Sequence, residues 1–261
     1  MFIDIGLNLT SSQFDRDRQD VLSRAFGAGV QHMIVTGTSI EESEQAVLHA
    51  RAYPGRLSAT AGIHPHDAKS FDEHSLDQLR DLCSAPETVA VGECGLDFNR
   101  DFSPRDAQQR CFSELVQLAI ETRLPLFLHQ RDAHDAFMEI LSPMADQVVG
   151  GVVHCFTGTA DQLDAYLDMG MFIGITGWVC DERRGLQLRE LLPHIPLDRL
   201  LIETDAPYLI PRDLSPKPKS RRNEPMFLPH IAKIIAAAVD VELDELARIT
   251  RANTKRLFKL D

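Results

Sequence analysis

The sequence predicts a (β/α)₈ TIM barrel, in which eight parallel strands alternate with helices. Eight short apolar segments alternate with helix-like segments along the chain, and the connections between them are short. The length of 261 residues also suits one barrel, which typically needs about 250 residues. A doubly wound sheet is the alternative, but the GxGxxG turn expected after its first strand is missing. We therefore expect a single barrel domain over residues 1–261.

The predicted strands are runs of β-branched and small apolar residues between turn formers, a pattern typical of strands buried on both faces. They cover residues 2–6, 32–36, 57–62, 88–92, 124–129, 151–154, 171–176 and 199–203. Glu93 follows the fourth run, so we expect its carboxylate to lie just beyond the strand and outside the core. Gly92 and Gly95 would allow the backbone there to approach a ligand closely.

Helix start signals occur between these strands. Ser11 or Ser12 can cap the first helix, and Ser39 with Glu42 three residues later forms a capping box for the second. Ser103 caps the fourth helix, with a proline at its first position. The predicted helices cover about 12–28, a segment from 40, then 73–83, 104–123, 132–141, 159–169 and the residues after 225.

A proline-rich loop over residues 207–225 follows the eighth strand. Such a long irregular segment is unusual inside a compact domain and indicates a functional flap. It contains a basic cluster, Lys217, Lys219, Arg221 and Arg222. A solvated charged loop is the ordinary interpretation, but loops after strand eight often bind phosphate in this fold.

Composition limits the classes of partner. The net charge is −12, from 27 basic and 39 acidic residues, which argues against nonspecific coating of duplex DNA. A nucleic acid drawn into one locally basic, metal-containing pocket stays possible. Five cysteines without CxxC spacing suggest reduced thiols in a cytoplasmic protein. No apolar run approaches the roughly 20 residues that span a bilayer, so we expect no membrane partner.

Five of the eight predicted strands end in a histidine or a carboxylate. These residues are His64 with His66, Glu93, His129, His154 and Asp205. A lone histidine there is commonly a packing residue, but the carboxyl ends of barrel strands share one face. We therefore predict a catalytic, open metal site without cysteine ligands. Imidazole with carboxylate suits Zn²⁺, Mn²⁺ or Fe²⁺ on affinity, whereas Mg²⁺ prefers oxygen ligands.

Six ordered motifs resemble those of the TatD family of metal-dependent deoxyribonucleases. They are Gly-Ile-His-Pro-His at 62–66, Gly-Glu-Cys-Gly-Leu-Asp at 92–97, Leu-His-Gln-Arg-Asp at 128–132, His-Cys-Phe-Thr-Gly at 154–158, Glu-Thr-Asp-Ala-Pro-Tyr at 203–208 and Arg-Asn-Glu-Pro at 222–225. The resemblance covers nearly the whole chain. It implies an amidohydrolase-like barrel with 3′→5′ exonuclease activity on single-stranded DNA or RNA, Mg²⁺ as the usual cofactor, and a role in DNA degradation or repair.

The resemblance also implies roles for the strand-end residues. Glu93 is similar to the family's central, potentially bridging metal ligand. His129 and His154 are similar to the pair that holds the second metal position, and Asp205 to the carboxylate that touches the metal or its water. Most of the family has a His-x-His pair after the first strand, whereas this chain has Gly-Leu-Asn at 6–8. We therefore expect one tightly held ion rather than two.

Catalysis and substrate contacts complete the prediction. We expect Asp205 to accept the proton of the attacking water and His64 to hydrogen-bond the phosphate or the leaving oxygen. Trp178, the one tryptophan, is the preferred platform for base stacking. The expected substrate-binding residues are His66, Arg131, Trp178, Arg221, Arg222 and Asn223. The partner is single-stranded DNA or RNA, and the protein is expected to be a monomer.

Two other functions stay open at this point. A small-molecule amidohydrolase or lactonase uses the same barrel, but it usually needs the His-x-His pair and often a carboxylated lysine after strand four, where this chain has Glu93. A non-catalytic component of a larger assembly is the other alternative. The sequence offers no adaptor signature such as a repeat array or a tail.

Overall fold

The computed structural model describes residues 1–183 and 185–261 and contains, within them, the eight predicted strands. The strands are β1 (Phe2–Leu7), β2 (Val30–Val35), β3 (Leu57–Ala61), β4 (Thr88–Asp97), β5 (Leu126–Arg131), β6 (Gly151–Val153), β7 (Phe172–Ile175) and β8 (Leu200–Ile202). They form one sheet in sequential order. Leu7 bridges to Ala206 just after β8, and β1 lies against β8. Sequential parallel strands whose last member meets the first are the predicted (β/α)₈ barrel.

Helices follow the strands, as predicted. Within the described residues they are α1 (Arg18–Gly27), α2 (Ile40–Ala52), α3 (Glu73–Cys83), α4 (Arg105–Thr122), α5 (His134–Leu141), α6 (Ala160–Asp168), α7 (Leu186–Leu191), α8 (Leu228–Ala238) and α9 (Leu243–Phe258). The bounds of α3 agree with the prediction, because Asp72 and Ser75 form a capping box at its start. The six residues of α7 are too few to show a helical period in the sequence.

Two predicted helix starts are wrong. Ser11 caps only the 3₁₀ turn Ser12–Phe14, and α1 begins at Arg18. Pro104 is the residue that precedes α4, and its neighbour Ser103 uses its hydroxyl elsewhere. That hydroxyl donates to the carbonyl of His66 at 2.7 Å and accepts from the backbone N–H of Lys69 at 3.1 Å. The Ser103 side chain thus holds the segment after β3.

The described residues group into two compact units. The first comprises Met1–Ile34, Cys155–Ala160 and Ile173–Asp261, and the second comprises Val35–His154 and Asp161–Phe172. In the first unit, α8 and α9 pack against β1 and β8. In the second, α2 packs on β3 and α4 packs on β4. The single domain expected from the sequence stays a prediction.

The predicted position of Glu93 is wrong. β4 does not end before it but continues for ten residues to Asp97, and Glu93 is 5% exposed within the strand. The pairing of β4 with β5 shifts register between Gly92 and Cys94, so Glu93 occupies an irregular position in the ladder. An ionised carboxylate is rare in a buried strand unless it is paired. For that reason the sequence predicts that the fourth strand ends before Glu93.

No helix among the described residues combines the length and the apolar character needed to cross a bilayer.

Gly95 provides a test of how closely β4 must approach β5. Its φ is +141°, and a Cβ there would overlap the carbonyl oxygen of His129. Gly95→Ala should therefore lower the free energy of unfolding by more than about 2 kcal/mol. Gly55 also has a positive φ, +72°, but open space around a Cβ, so Gly55→Ala should cost only about 1 kcal/mol. Urea unfolding measures both variants. Equal losses would show that the contact with β5 is unimportant.

Candidate metal centre and active site

The centre of the candidate site is one oxygen of Glu93. His154 Nε2 lies 2.8 Å from Glu93 Oε1, His129 Nδ1 lies 2.9 Å from it, and His64 Nε2 lies 3.3 Å from it. All four residues belong to the second unit. They come from or directly follow β3, β4, β5 and β6, which is the convergence that the strand-end pattern predicts.

These imidazoles keep Glu93 ionised. Burial disfavours the charged form, but the charges of His154 and His64, together with hydrogen bonds from His129 and His154, outweigh it. The pKa of Glu93 therefore lies well below its ordinary value. The cluster holds a negative charge at neutral pH inside a buried strand.

His64 faces Glu93 as a hydrogen-bond donor. Its Nδ1 accepts the backbone N–H of His66 at 3.1 Å, where His64 caps the 3₁₀ segment Pro65–Ser70. In a neutral imidazole, an accepting Nδ1 leaves the proton on Nε2. The Nε2–H of His64 therefore points at Glu93, and burial lowers the pKa of His64 despite the nearby Glu93 charge. A protonated Nε2 donates hydrogen bonds and does not bind a metal ion.

His129 bridges two carboxylates. Its Nδ1 pairs with Glu93, and its Nε2 lies 3.5 Å from Asp97 Oδ2 but makes no hydrogen bond although it is buried. Burial disfavours the imidazolium, yet Asp97 and Glu93 raise the pKa of His129. The ring is thus held at the centre of the cluster with one buried nitrogen that lacks a hydrogen-bond partner.

Asp97 is a site residue that the sequence reading missed. Its Oδ2 is 2.8 Å from His66 Nε2, and its Oδ1 accepts the backbone N–H groups of Asn99 at 3.0 Å and Arg100 at 2.8 Å. Burial opposes its charge, but the nearby His129 imidazole and the hydrogen bond with His66 hold the pKa of Asp97 well below its ordinary value. Asp97 lies four residues after Glu93 on one strand, so the period of two places both carboxylates on the same face. The spacing of four residues in the sequence could therefore have identified Asp97 as a site residue.

The donor set fits a divalent cation. His64, Glu93 and His129 each offer a donor atom within 4.8 Å of the others, and His154 Nε2 meets the same Glu93 oxygen. The His66 N–H fixes His64 as an N–H donor at Nε2, whereas the nitrogens of His129 and His154 that face Glu93 would have to turn a lone pair toward an ion. Glu93, His129 and His154 are therefore the residues that would hold it. Two imidazoles and a carboxylate are a common ligand set of catalytic sites, and the buried Nε2 of His129 has no competing hydrogen bond.

Asp205 is held at the end of β8 in the first unit. The Asn8 side-chain amide donates to Asp205 Oδ1 at 2.8 Å, and the Asp205 N–H donates to the carbonyl of Gly6 at 2.9 Å. Its φ of +54° is uncommon for residues other than glycine, although aspartate adopts it more readily than most. Asn8 therefore orients Asp205 with its amide nitrogen rather than offering a carbonyl oxygen to a metal.

A second buried carboxylate, Asp4 on β1, fixes the backbone next to Asp205. Asp4 is 0% exposed and accepts hydrogen bonds from the Thr204 N–H at 2.9 Å and the Thr204 hydroxyl at 2.5 Å. Burial raises the pKa of Asp4 to about 7, with Glu203 adding to it and the hydrogen bonds of Thr204 opposing it. The sequence reading missed Asp4, although a carboxylate in the middle of an apolar strand is a visible anomaly.

The predicted substrate-binding residues have different surroundings. Arg131 is exposed at the end of β5, and Arg221 is exposed in the loop after β8. Trp178 is half-buried in the 3₁₀ turn Gly177–Cys180. Its backbone N–H donates to the Thr176 hydroxyl at 3.3 Å. His66 uses its Nε2 to hold Asp97. Arg131, Arg221 and Trp178 thus present accessible surface.

Arg222 and Asn223 make internal contacts. The Arg222 guanidinium bonds both oxygens of Asp17 at 2.7 Å and Glu224 Oε1 at 2.8 Å. Arg24 binds the same two carboxylates, so two arginines and two acids form one network. The Asn223 side chain is 0% exposed and donates to the carbonyl of Thr204 at 2.9 Å. Both residues anchor the loop, and a direct substrate contact would require them to exchange these partners.

A family model described as TatD related DNase matches residues 3–259. The chain belongs to this family. It is 56% identical over 257 residues to the 3′-5′ ssDNA/RNA exonuclease TatD of Salmonella typhimurium, covering 98% of each chain. It is 57% identical over 255 residues to the protein of the same name from Cronobacter turicensis, covering 98% of this chain and 97% of that one. A crystal structure of a TatD homologue from Escherichia coli superposes with a TM-score of 0.89 at 30% identity, covering 100% of this chain and 98% of the other.

These comparisons confirm the recognised family and the predicted fold class. TatD related DNases hydrolyse nucleic acid, so the chain is a hydrolase of a metal-dependent family.

Asp4 makes the stability of the fold depend on pH. Its folded pKa of about 7 lies above the ordinary value of 3.8, so folding takes up a proton between these values. The stability that protonated Asp4 contributes is complete below about pH 4 and is lost as the pH rises through about 7. Asp4→Asn keeps a neutral side chain that can pair with Thr204. From about pH 5 to about pH 8, urea unfolding should show the variant gaining at least about 1 kcal/mol relative to the parent. A constant difference would contradict the shifted pKa.

Proposed function

We propose that this chain is a metal-dependent 3′→5′ exonuclease that degrades single-stranded DNA and RNA. The observation that supports it most directly is the Glu93 cluster, in which one buried carboxylate oxygen meets three imidazole nitrogens in a chain of the TatD related DNase family. The relatives from Salmonella typhimurium and Cronobacter turicensis have this activity in their names and match almost the full length of the chain.

We propose that Glu93, His129 and His154 hold one divalent cation, with Asp205 as a further ligand or a partner of the water. Mg²⁺ is our proposed physiological ion, and Mn²⁺ or Zn²⁺ are alternatives because two imidazoles bind them more strongly. Such an ion supplies positive charge that polarises the scissile phosphodiester and favours ionisation of the attacking water. The orientation of the ligands comes from the chain, through the tight approach of β4 to β5 and the fixed His129 ring.

The chain's own residues would move the protons. Asp205, oriented by Asn8 and Gly6, accepts the proton of the attacking water as the oxygen–phosphorus bond forms. His64 presents an N–H at Nε2 and donates it to the phosphate or to the leaving 3′ oxygen as the phosphorus–oxygen bond breaks. The hydrogen bond from His66 N–H to His64 Nδ1 fixes which nitrogen carries that proton. His64 is therefore suited to a donor role and Asp205 to an acceptor role.

Substrate binding would use the exposed groups. We propose that Arg131 and Arg221 contact phosphate oxygens, since a guanidinium group can form bidentate hydrogen bonds with them. We also propose that Trp178 stacks on a base. Two of the predicted contacts would act by anchoring the loop after β8, Arg222 and Asn223. His66 would act by holding the Asp97 carboxylate. We further propose a cytoplasmic monomer that contributes to DNA degradation or repair.

The test is cleavage of a single-stranded oligonucleotide labelled at its 5′ end, with Mg²⁺ or Mn²⁺ supplied in turn. The expected result is a ladder that shortens from the 3′ end and releases mononucleotides, with no cleavage in EDTA. The same preparation should leave a lactone intact, because this chain lacks the His-x-His pair that small-molecule amidohydrolases usually need. An intact oligonucleotide with either ion, or lactone hydrolysis alone, would refute the proposal.

The Asp205→Asn variant should fold but lose at least about 100-fold in turnover, because general-base assistance typically contributes 10²–10⁴-fold. The matched variant Asp164→Asn changes an exposed carboxylate on α6 that this mechanism does not use, and it should cleave at close to the parent rate. Near-parent turnover of Asp205→Asn would remove Asp205 from the mechanism.

A further inference from the structure

We propose that Cys180, Asp213 and His230 form a second metal site, one that selects a thiophilic divalent cation such as Zn²⁺. It shares no residue with the Glu93 cluster and does not depend on the proposed nuclease function. All three residues lie in the first unit.

Three segments of the first unit bring their metal-binding side chains together. Cys180 ends the 3₁₀ turn Gly177–Cys180, Asp213 lies in the loop after β8, and His230 lies in the first turn of α8. One donor atom from each residue lies within 4.8 Å of the other two. Three separate segments, distant in sequence, thus bring a sulfur, a carboxylate oxygen and an imidazole nitrogen to one point.

The three donor atoms have the chemistry of a zinc site. Sulfur, nitrogen and oxygen donors together suit Zn²⁺, whereas Mg²⁺ takes oxygen ligands and water. In a tetrahedral zinc site with bonds of about 2.0–2.3 Å, neighbouring donors stand about 3.5 Å apart. His230 Nε2 and Asp213 Oδ1 are 2.7 Å apart as a hydrogen-bonded pair, so binding needs a slight opening between these two atoms. Asp213 is on a loop, which can make that adjustment.

The charge and the solvent exposure of the three side chains also suit a bound ion. A thiolate, a carboxylate and a neutral imidazole together balance the charge of Zn²⁺. Cys180 is fully buried, while the side chains of Asp213 and His230 are 30% and 28% exposed, so the site is closed on the sulfur side and open on the other. An ion could therefore enter and keep one position for water.

Two arginines lie near the site. Arg189 Nη2 is 3.9 Å from Asp213 Oδ2, but its Nε donates to the carbonyl of Val179 at 2.7 Å. Arg212 directs its Nε to Asp181 at 3.7 Å and Glu182 at 3.5 Å. The positive charge of Arg189 will lower the affinity of the site for a cation.

Comparison with the other thiols supports the choice of Cys180. In the described part of the chain, it is the one cysteine grouped with a histidine and a carboxylate in this way. Cys83, Cys94 and Cys111 are buried thiols, and the Cys94 sulfur lies 3.9 Å from the carbonyl of Phe127. These thiols have the surroundings of packing residues.

A bound ion would join three segments, two of which contain substrate-binding candidates. The 3₁₀ turn contains Trp178, and the loop after β8 contains Arg221. A clip between Cys180, Asp213 and His230 would restrict the loop relative to α8. We therefore expect metal binding here to stabilise the first unit, independently of catalysis.

Cobalt provides a direct test, because Co²⁺ bound to a thiolate gives a charge-transfer band in the near ultraviolet. The full chain, stripped with a chelator, is titrated with Co²⁺ and then with Zn²⁺. We expect a band that saturates near one equivalent and is lost when Zn²⁺ displaces the cobalt. The absence of a band, or a band that needs millimolar Co²⁺, would overturn the proposal.

Four variants locate the site. Cys180→Ser should abolish the band, whereas Cys83→Ser, which changes a buried thiol without these neighbours, should keep it. Glu93→Gln should also keep it, because Glu93 is not part of this site. If Cys180→Ser fails to fold, His230→Gln serves instead and should weaken cobalt binding at least about tenfold. A band that survives in Cys180→Ser, or unchanged affinity in His230→Gln, would refute the assignment.

Discussion

The second unit is organised around the negative charge of Glu93, which is buried in the middle of a strand. An uncompensated carboxylate in such a position would cost several kcal/mol. The structure compensates it with His64, His129 and His154, all within 3.3 Å of one oxygen. His64 and His154 follow β3 and β6, and His129 lies in β5, so the charge of one residue in β4 accounts for imidazoles supplied by three other strands.

The same unit uses a second carboxylate to hold its histidines. Asp97 bonds His66 and lies beside His129, and its charge is stabilised by the backbone N–H groups of Asn99 and Arg100. Glu93 and Asp97 both have lowered pKa values because imidazoles surround them. In the first unit, Asp4 has the opposite behaviour: burial is stronger than its hydrogen bonds to Thr204, and its pKa is raised. The two kinds of carboxylate suit two tasks, since an ionised group can bind a cation and a group that shares a proton can fix a backbone.

Much of this arrangement was predictable from the sequence, because it depends on local pattern. The alternation of strands and helices gives the barrel, and histidines at the ends of strands predict that His64, His129 and His154 converge. Glu93 was misplaced because a charged residue normally ends a buried strand, and only its three partners, 29 to 61 positions away, allow the strand to continue.

Long-range pairing explains the other differences. The Arg222–Asp17 pair joins residues 205 positions apart, and a basic residue in a loop gives no local sign of such a partner. Asn223 likewise resembles a polar loop residue until its bond to Thr204 is seen. The tautomer of His64 depends on a backbone N–H two residues later, which requires the 3₁₀ geometry of that segment. Local pattern therefore predicts which residues meet, and the structure is needed to say which of them donate, accept or anchor.

The most direct test of the central role of Glu93 is calorimetric titration of Mn²⁺ into the parent chain and into Glu93→Gln. Glutamine keeps the shape of the side chain but removes the charge. The affinity should fall at least about 100-fold, which is the upper end of the loss expected when only a supporting residue is changed. Glu42→Gln, a neutralised carboxylate on α2 outside the donor set, should bind as the parent does. If Glu93→Gln binds Mn²⁺ within about threefold of the parent, the cation is held elsewhere, and Glu93 is not the centre of the site.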